Sequence, residues 1–186
     1  MREQGAAVMV EEVKRKIQAN FEGCKATTPR PGRLIATIPS QALPSLLLLL
    51  KADGFEHLSL ISCVDWIDEA ELELSYHLWC YDKKIHAIVK TRIGRDSPRF
   101  LSIIPLFQHA QTYEREIHEM YGVRFEGNPR LTPLLLDHWQ GPPPMRRDFD
   151  TRQYVQDTFA IIPPSRGLGD AYGKTSHAGN GENDAS

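Results

Sequence analysis

"ELELSYHLWCYDKKIHAIVKTRI" (residues 71–93) consists of two alternating runs joined by a charged turn. In the first run Leu72, Leu74, Tyr76, Leu78 and Cys80 share one face, and the opposite face is polar with a single aromatic, Trp79. Successive side chains of a strand point to opposite sides of a sheet, so the apolar set faces a core and the polar set faces away. If the turn at Asp82-Lys83-Lys84 pairs Cys80 with Ile85, Glu73 falls opposite Arg92, and that charge match supports the register. His77 and His86 then stand on the outer face, where solvation or sheet packing explains them better than metal ligation. One covered face on a meander predicts an α+β two-layer sandwich, with helices on one side of a mixed or antiparallel sheet.

Working outward from the hairpin, "HLSLISCVDW" (57–66) reads as a mostly buried strand, with Asp65 as a turn former at its end. "RLIATIP" (33–39) follows Pro31-Gly32 as a further strand. Between them, Ser40 is expected to cap a helix through the leucine run 46–50 to Gly54, its start delayed by Pro44. Leucines on every side of that helix predict deep burial. Val10, Val13, Ile17 and Phe21 recur at helical spacing with charges between them, and Gly23 is placed to stop this first helix.

Composition limits the functions available to such a domain. Its 186 residues carry 22 basic and 24 acidic side chains, so the net charge of −2 gives no electrostatic reason to expect nucleic acid as a partner. Cys24, Cys63 and Cys80 are dispersed and odd in number, which fits reduced thiols of a cytoplasmic protein and neither a disulfide framework nor a cluster cradle. There is no glycine-rich phosphate loop and no GxSxG elbow. The isolated chain is therefore expected to be colourless. The N-terminus meets acidic residues before any signal-length apolar run, so no export is expected.

Downstream, "TYEREIHEMYGVRFEGNPRL" (112–131) crowds ionisable groups onto one helix that Gly122 ends. At 100° per residue Tyr113, Ile117, Met120 and Tyr121 form the apolar stripe, Arg115, His118 and Glu119 point away, and Glu114 and Glu116 occupy its two shoulders. Glu114 with His118 could supply two metal ligands, but ordinary i,i+4 pairing of Glu114 with His118 and Arg115 with Glu119 is the simpler reading. Glu114 and Glu116 lie about 200° apart on the helix, which does not suit an acid/base pair across a cleft. Beyond this helix "NPRLTPLLLDHWQGPPPMRRDFDTRQYV" (128–155) has no sustained period and is expected to be extended, with Trp139, Met145, Phe149 and Tyr154 as separated anchors. Arg146 and Arg147 are candidates for paired contacts to Glu114, to Glu116 or to an acidic patch on a partner. The division expected is a core domain at 1–127, a docking arm at 128–162 and a flexible tail at 163–186.

"YEREIHEMYGVRFEGNPRL", preceded by "SCVDW" and "ELSYHLWCYDKKIHAIVKTRI" and followed by "PMRRDF", resembles the family of the 30 kDa subunit of respiratory complex I. The resemblance runs from roughly residue 10 to 155, with Glu-Arg-Glu-x-x-Glu-Met-Tyr-Gly-Val at 114–123 as its most specific part. It implies a cofactor-free, non-catalytic peripheral-arm subunit on the cytoplasmic side of a membrane oxidoreductase, touching the membrane only through its complex. Its implied partners are the large subunit that forms the quinone pocket or hydrogenase site and the neighbouring iron–sulfur subunits. Iron–sulfur clusters, flavin or a nickel–iron centre would belong to those partners. Glu114, Arg115, Glu116, Glu119, Gly122, Trp139, Arg146, Arg147, Asp148 and Phe149 become the candidate interface or structural residues. NADH–quinone oxidoreductase is the first branch considered, with a complex I-like membrane-bound hydrogenase or another quinone reductase as alternatives. A free-standing metal-dependent enzyme using Glu114, Glu116 and His118 is the rival from another class.

Overall fold

The 71–93 hairpin is the centre of a five-stranded sheet in the computed structural model, which describes residues 2–159 and the side chains of residues 7–159. Its strands are β1 (Lys25–Arg30), β2 (Arg33–Thr37), β3 (His57–Trp66), β4 (Glu71–Cys80) and β5 (Ile85–Gly94), in the order β1-β2-β5-β4-β3. The register has Cys80 opposite Ile85 and Glu73 opposite Arg92, as the alternation requires. Only the β2–β5 pair is parallel, so the sheet is mixed. All five inward side chains of β4 are buried. They meet Val10, Val13 and Ile17 of α1 (Arg2–Asn20), the leucines of α2 (Leu43–Ala52) and Ile117 of α3 (Ala110–Tyr121) in one core. The α+β two-layer arrangement holds.

Several local expectations change. β1 has no apolar alternation to announce it; its only buried residue is Ala26, and a register shift between Thr27 and Arg30 accommodates Pro29 at this edge of the sheet. β3 is the opposite edge and not a mostly buried strand. Its inner side chains Ile61, Cys63 and Asp65 are buried, whereas Leu60, Val64 and Trp66 are exposed. The leucine run is buried on one side only: Leu46, Leu47 and Leu50 are fully covered, but Leu48 is 56% exposed because no layer of the described residues lies beyond α2. Ser40 makes no side-chain cap and instead begins a single 3₁₀ turn that leads into α2. Burial worth roughly 1.5–3 kcal/mol per leucine holds this helix in place of a cap.

Two further strands, β6 (Arg99–Leu101) and β7 (Arg124–Glu126), form a small parallel pair, each with one buried phenylalanine, Phe100 and Phe125. Three residues are too few for a readable period. The expected arm is also divided. One compact unit runs to Phe149, so residues 128–149 belong with the sheet domain, and a second begins at Asp150. Within the second unit Thr151–Thr158 forms helix α4 rather than extended chain, because the Asp150 carboxylate accepts the Gln153 N–H as an N-cap. The tail expected at 163–186 lies outside the described residues. Among the described residues no helix is long and apolar enough to cross a membrane.

Candidate functional site

Glu114 does not sit on a shoulder of α3. It is fully buried at the centre of the inward stripe formed by Ala110, Glu114 and Ile117. Its Oε1 accepts the Ile103 N–H at 2.8 Å, and its Oε2 accepts the Ser102 hydroxyl at 2.8 Å and the Asn128 amide at 2.9 Å. One carboxylate therefore ties together the exit of β6, α3 and the exit of β7. Burial raises its pKa above the ordinary 4.5, outweighing the three bonds that lower it. Periodicity missed this because the covering groups come from residues 102–103 and 128, not from the helix itself. Glu116, the other shoulder, is exposed.

The i,i+4 pairs do not form either. Glu119 accepts three successive main-chain N–H groups, from Leu134 at 3.2 Å, Leu135 at 2.9 Å and Leu136 at 2.9 Å. Arg115 donates to the carbonyls of Thr132 at 3.2 Å and Pro133 at 2.8 Å. His118 bonds the Val123 carbonyl through Nδ1 at 2.8 Å. Main-chain partners displace the same-helix partners because an extended segment brings unpaired donors and acceptors that must be satisfied.

The proline run closes the end of α3. Gly122 takes φ +79° as the left-handed stop, and a β-carbon there would lie 3.0 Å from Pro143 Cγ. The Met145 N–H donates to the Met120 carbonyl at 3.0 Å, and Arg146 Nε donates to the Tyr121 carbonyl at 2.8 Å. Arg146 also donates to the Arg95 carbonyl. It meets neither Glu114 nor Glu116: both are remote from the helix C-terminus, whose unpaired carbonyls and negative dipole end attract the guanidinium instead. Arg147 uses its main-chain N–H, bonded to Asp65 at 2.9 Å, while its side chain is exposed. Trp139 donates from Nε1 to the Pro142 carbonyl at 3.0 Å and meets Phe149 edge-on at 5.7 Å.

Asp65 is more than a turn former. It is 4% exposed and receives Arg95 in a two-point contact at 2.7 and 3.0 Å, and Arg95 reaches on to Asp148 at 2.6 Å. This clamp fastens the 145–149 segment to the end of β3. Hydrogen bonding from Arg95 is the main cause holding both Asp65 and Asp148 below the ordinary 3.8. Its contribution is therefore present above 3.8 and is lost as pH falls through the lowered folded values. Glu114 has the opposite sign, contributing most below 4.5 and less as pH rises through its raised folded value. Between about pH 5 and pH 2.5 the Met145 and Arg147 amide resonances should reach unfolded positions before that of Ile103. Simultaneous loss would contradict the clamp.

The two arginines are expected to differ. Arg146→Glu removes two bonds and puts a carboxylate beside the helix C-terminus, for an expected loss of about 1–3 kcal/mol in urea unfolding. Arg147→Glu should cost less than about 0.5 kcal/mol. Equal losses would contradict these assignments.

A largely apolar groove of about 390 Å³, which the exposed Glu116 also lines, lies between β3 and α3. Leu60, Tyr113, Met120, Leu135 and Met145 line it, and Leu135 and Met145 are 63% and 56% exposed. Cys63 also lines it, with its thiol pushed up to about 12 mainly by burial, so it is not a thiolate at neutral pH. Among the described residues no three His, Cys, Asp or Glu side chains converge in a geometry that could hold a metal ion.

The sequence profile of the family described as respiratory-chain NADH dehydrogenase, 30 Kd subunit, matches residues 36–155. The chain is 40% identical over 97 residues to an F(420)H(2) dehydrogenase subunit of Methanosarcina mazei, a match covering 52% of this chain and 61% of that one. It is 35% identical over 135 residues to an NADH-quinone oxidoreductase subunit of Rhizobium johnstonii, covering 70% and 67% respectively. Among solved structures, a chain of the membrane-bound sulfane sulfur reductase, an archaeal respiratory membrane complex, superposes with a TM-score of 0.75 at 34% identity, covering 83% of this chain and 93% of that one. A trypsin-resistant fragment of Nqo5 shares the fold at 23% identity with a TM-score of 0.54, covering 70% of this chain and all of the fragment.

Proposed function

The chain belongs to the family of the 30 kDa subunit of respiratory-chain NADH dehydrogenase, and from that premise we propose that it is a non-catalytic, peripheral subunit of a membrane-bound oxidoreductase that couples electron transfer to ion translocation. The observation that carries this reading is the use made of the 114–123 signature. Glu114, Arg115 and Glu119 are spent on bonds to residues 102–103 and 128–136 of the same chain, and the apolar side chains Leu135 and Met145 are left facing outward. Such an arrangement suits docking onto the large subunit and the iron–sulfur subunits beside it. In this reading the redox centres belong to those partners, this chain holds none, and the assembly sits on the cytoplasmic side of the membrane.

NADH–quinone chemistry is the branch first implied by the family. The 40% identity to an F420H2 dehydrogenase subunit and the 34% identity to a sulfane sulfur reductase subunit favour a second reading, a complex of the same architecture fed by another donor. Purifying the tagged chain in mild detergent and supplying NADH, reduced F420 and hydrogen in turn tests both. Donor oxidation is expected in the assembly only, with the released chain colourless and metal-free. Oxidation by the released chain, or a metal held at one equivalent, would overturn the assignment.

A further inference from the structure

The helices cover one face of the sheet, and the other face carries an organised set of rings and cations with no layer over it among the described residues. His77 of β4 and His86 of β5 meet at 3.3 Å between Nδ1 and Nε2. The ring contacts continue from His86 to Trp79 at 6.3 Å, from Trp79 to Tyr81 at 6.2 Å and from Tyr81 to His57 at 5.7 Å. Arg33 of β2 stands in register with His86, on the same outer face. Its guanidinium donates to nothing among the described residues, and its Nε is buried without a partner.

The charges on this face divide into two zones. Near the β3–β4 turn, Glu71, Glu73, Lys90 and Arg92 neutralise one another at 2.7–3.6 Å, and Arg92 lies over the Trp66 ring at 5.0 Å. At the other end Arg33 faces both imidazoles and Arg30 lies near His86, with Lys90 between the zones. Among the described residues neither Arg30 nor Arg33 has a carboxylate partner in an ion pair, and Glu56 and Asp82, in the loops at this end, form no ion pair with them. Burial and these cations hold both imidazoles below the ordinary 6.5, so they are neutral at pH 7. Half-buried rings beside an arginine with unused donors suit a carboxylate-bearing partner.

We infer that the His77–His86–Trp79 platform with Arg33 and Arg30 is a second docking surface, which receives an acidic segment of another subunit. This rests on the reading of the chain as a subunit of a complex. Charge selects the occupant: a basic or purely apolar segment would leave two cations unmatched in the contact, whereas an Asp or Glu side chain can accept from the Arg33 fork.

Arg33→Lys replaces the fork with an amine that a carbodiimide can couple to a touching carboxylate. In the purified assembly the expected result is a new amide between residue 33 and an Asp or Glu of another chain, alongside the internal Lys90–Glu73 amide as a control. An intact assembly that gives the control but no such link, or a link only to this chain's own carboxylates, overturns the inference. Diethylpyrocarbonate labelling of the wild-type complex needs no substitution: His77 and His86 should react at least tenfold more slowly in the complex than in the released chain, and equal rates would overturn it. Failure to recover any assembly counts against the subunit reading itself, which keeps the two failures distinct.

Discussion

Replacing Glu114 by alanine is expected to lower the stability of the sheet domain by about 3–5 kcal/mol, a large fraction of what holds a domain of this size. The carboxylate is 0% exposed and is the common acceptor for the Ile103 N–H, the Ser102 hydroxyl and the Asn128 amide. Truncation leaves all three donors without their acceptor in a site too closed for easy hydration, and adds a cavity. Glu114→Gln keeps the shape and one acceptor oxygen, so its loss should be clearly smaller at pH 7. Chemical unfolding of the two variants measures this directly. A loss below about 1 kcal/mol for alanine would show that the three donors find other partners.

The second large effect belongs to Asp65. Asp65→Ala leaves the Arg95 guanidinium, whose side chain is 11% exposed, without its two-point partner, and also strands the Arg147 N–H. The expected loss is about 2–4 kcal/mol, with increased cleavage by trypsin after Arg146 and Arg147 because the clamp holding that segment is gone. Asp148→Ala removes a contact whose carboxylate side is 54% exposed, and should cost far less. If the two substitutions behaved alike, Asp65 would not be the anchor of the clamp.

The central hairpin was legible because a period of two leaves little freedom: once Leu72 to Cys80 face inward, the Glu73–Arg92 pairing follows. The site was less legible for a related reason. A helical wheel begun at Tyr113 ranks residues by their own polarity, and on that ranking a glutamate goes to the shoulder. Extending the helix back to Ala110, where it begins, places residues 110, 114 and 117 on one stripe with Glu114 at its middle. The sequence signal was available in that spacing, but the covering donors Ser102, Ile103 and Asn128 come from irregular chain with no period to read. Likewise β1, β6 and β7 are short elements, each with a single buried residue, and only the tertiary structure selects them. The arm's polar groups were visible as residues, but their partners were not. Glu119 and Arg115 bond main-chain atoms, which every residue carries alike.

The most direct test of the account is recovery of the assembled complex by a chain altered only on its outward apolar rim. Leu135→Glu with Met145→Glu leaves the Glu119, Arg115, Arg146 and Asp65 contacts in place, since the bonds at residues 135 and 145 are made by main-chain N–H groups. A melting temperature within about 2 °C of the parent is expected, together with at least a tenfold fall in the amount of chain recovered with its complex. Undiminished recovery of the doubly substituted chain would contradict it.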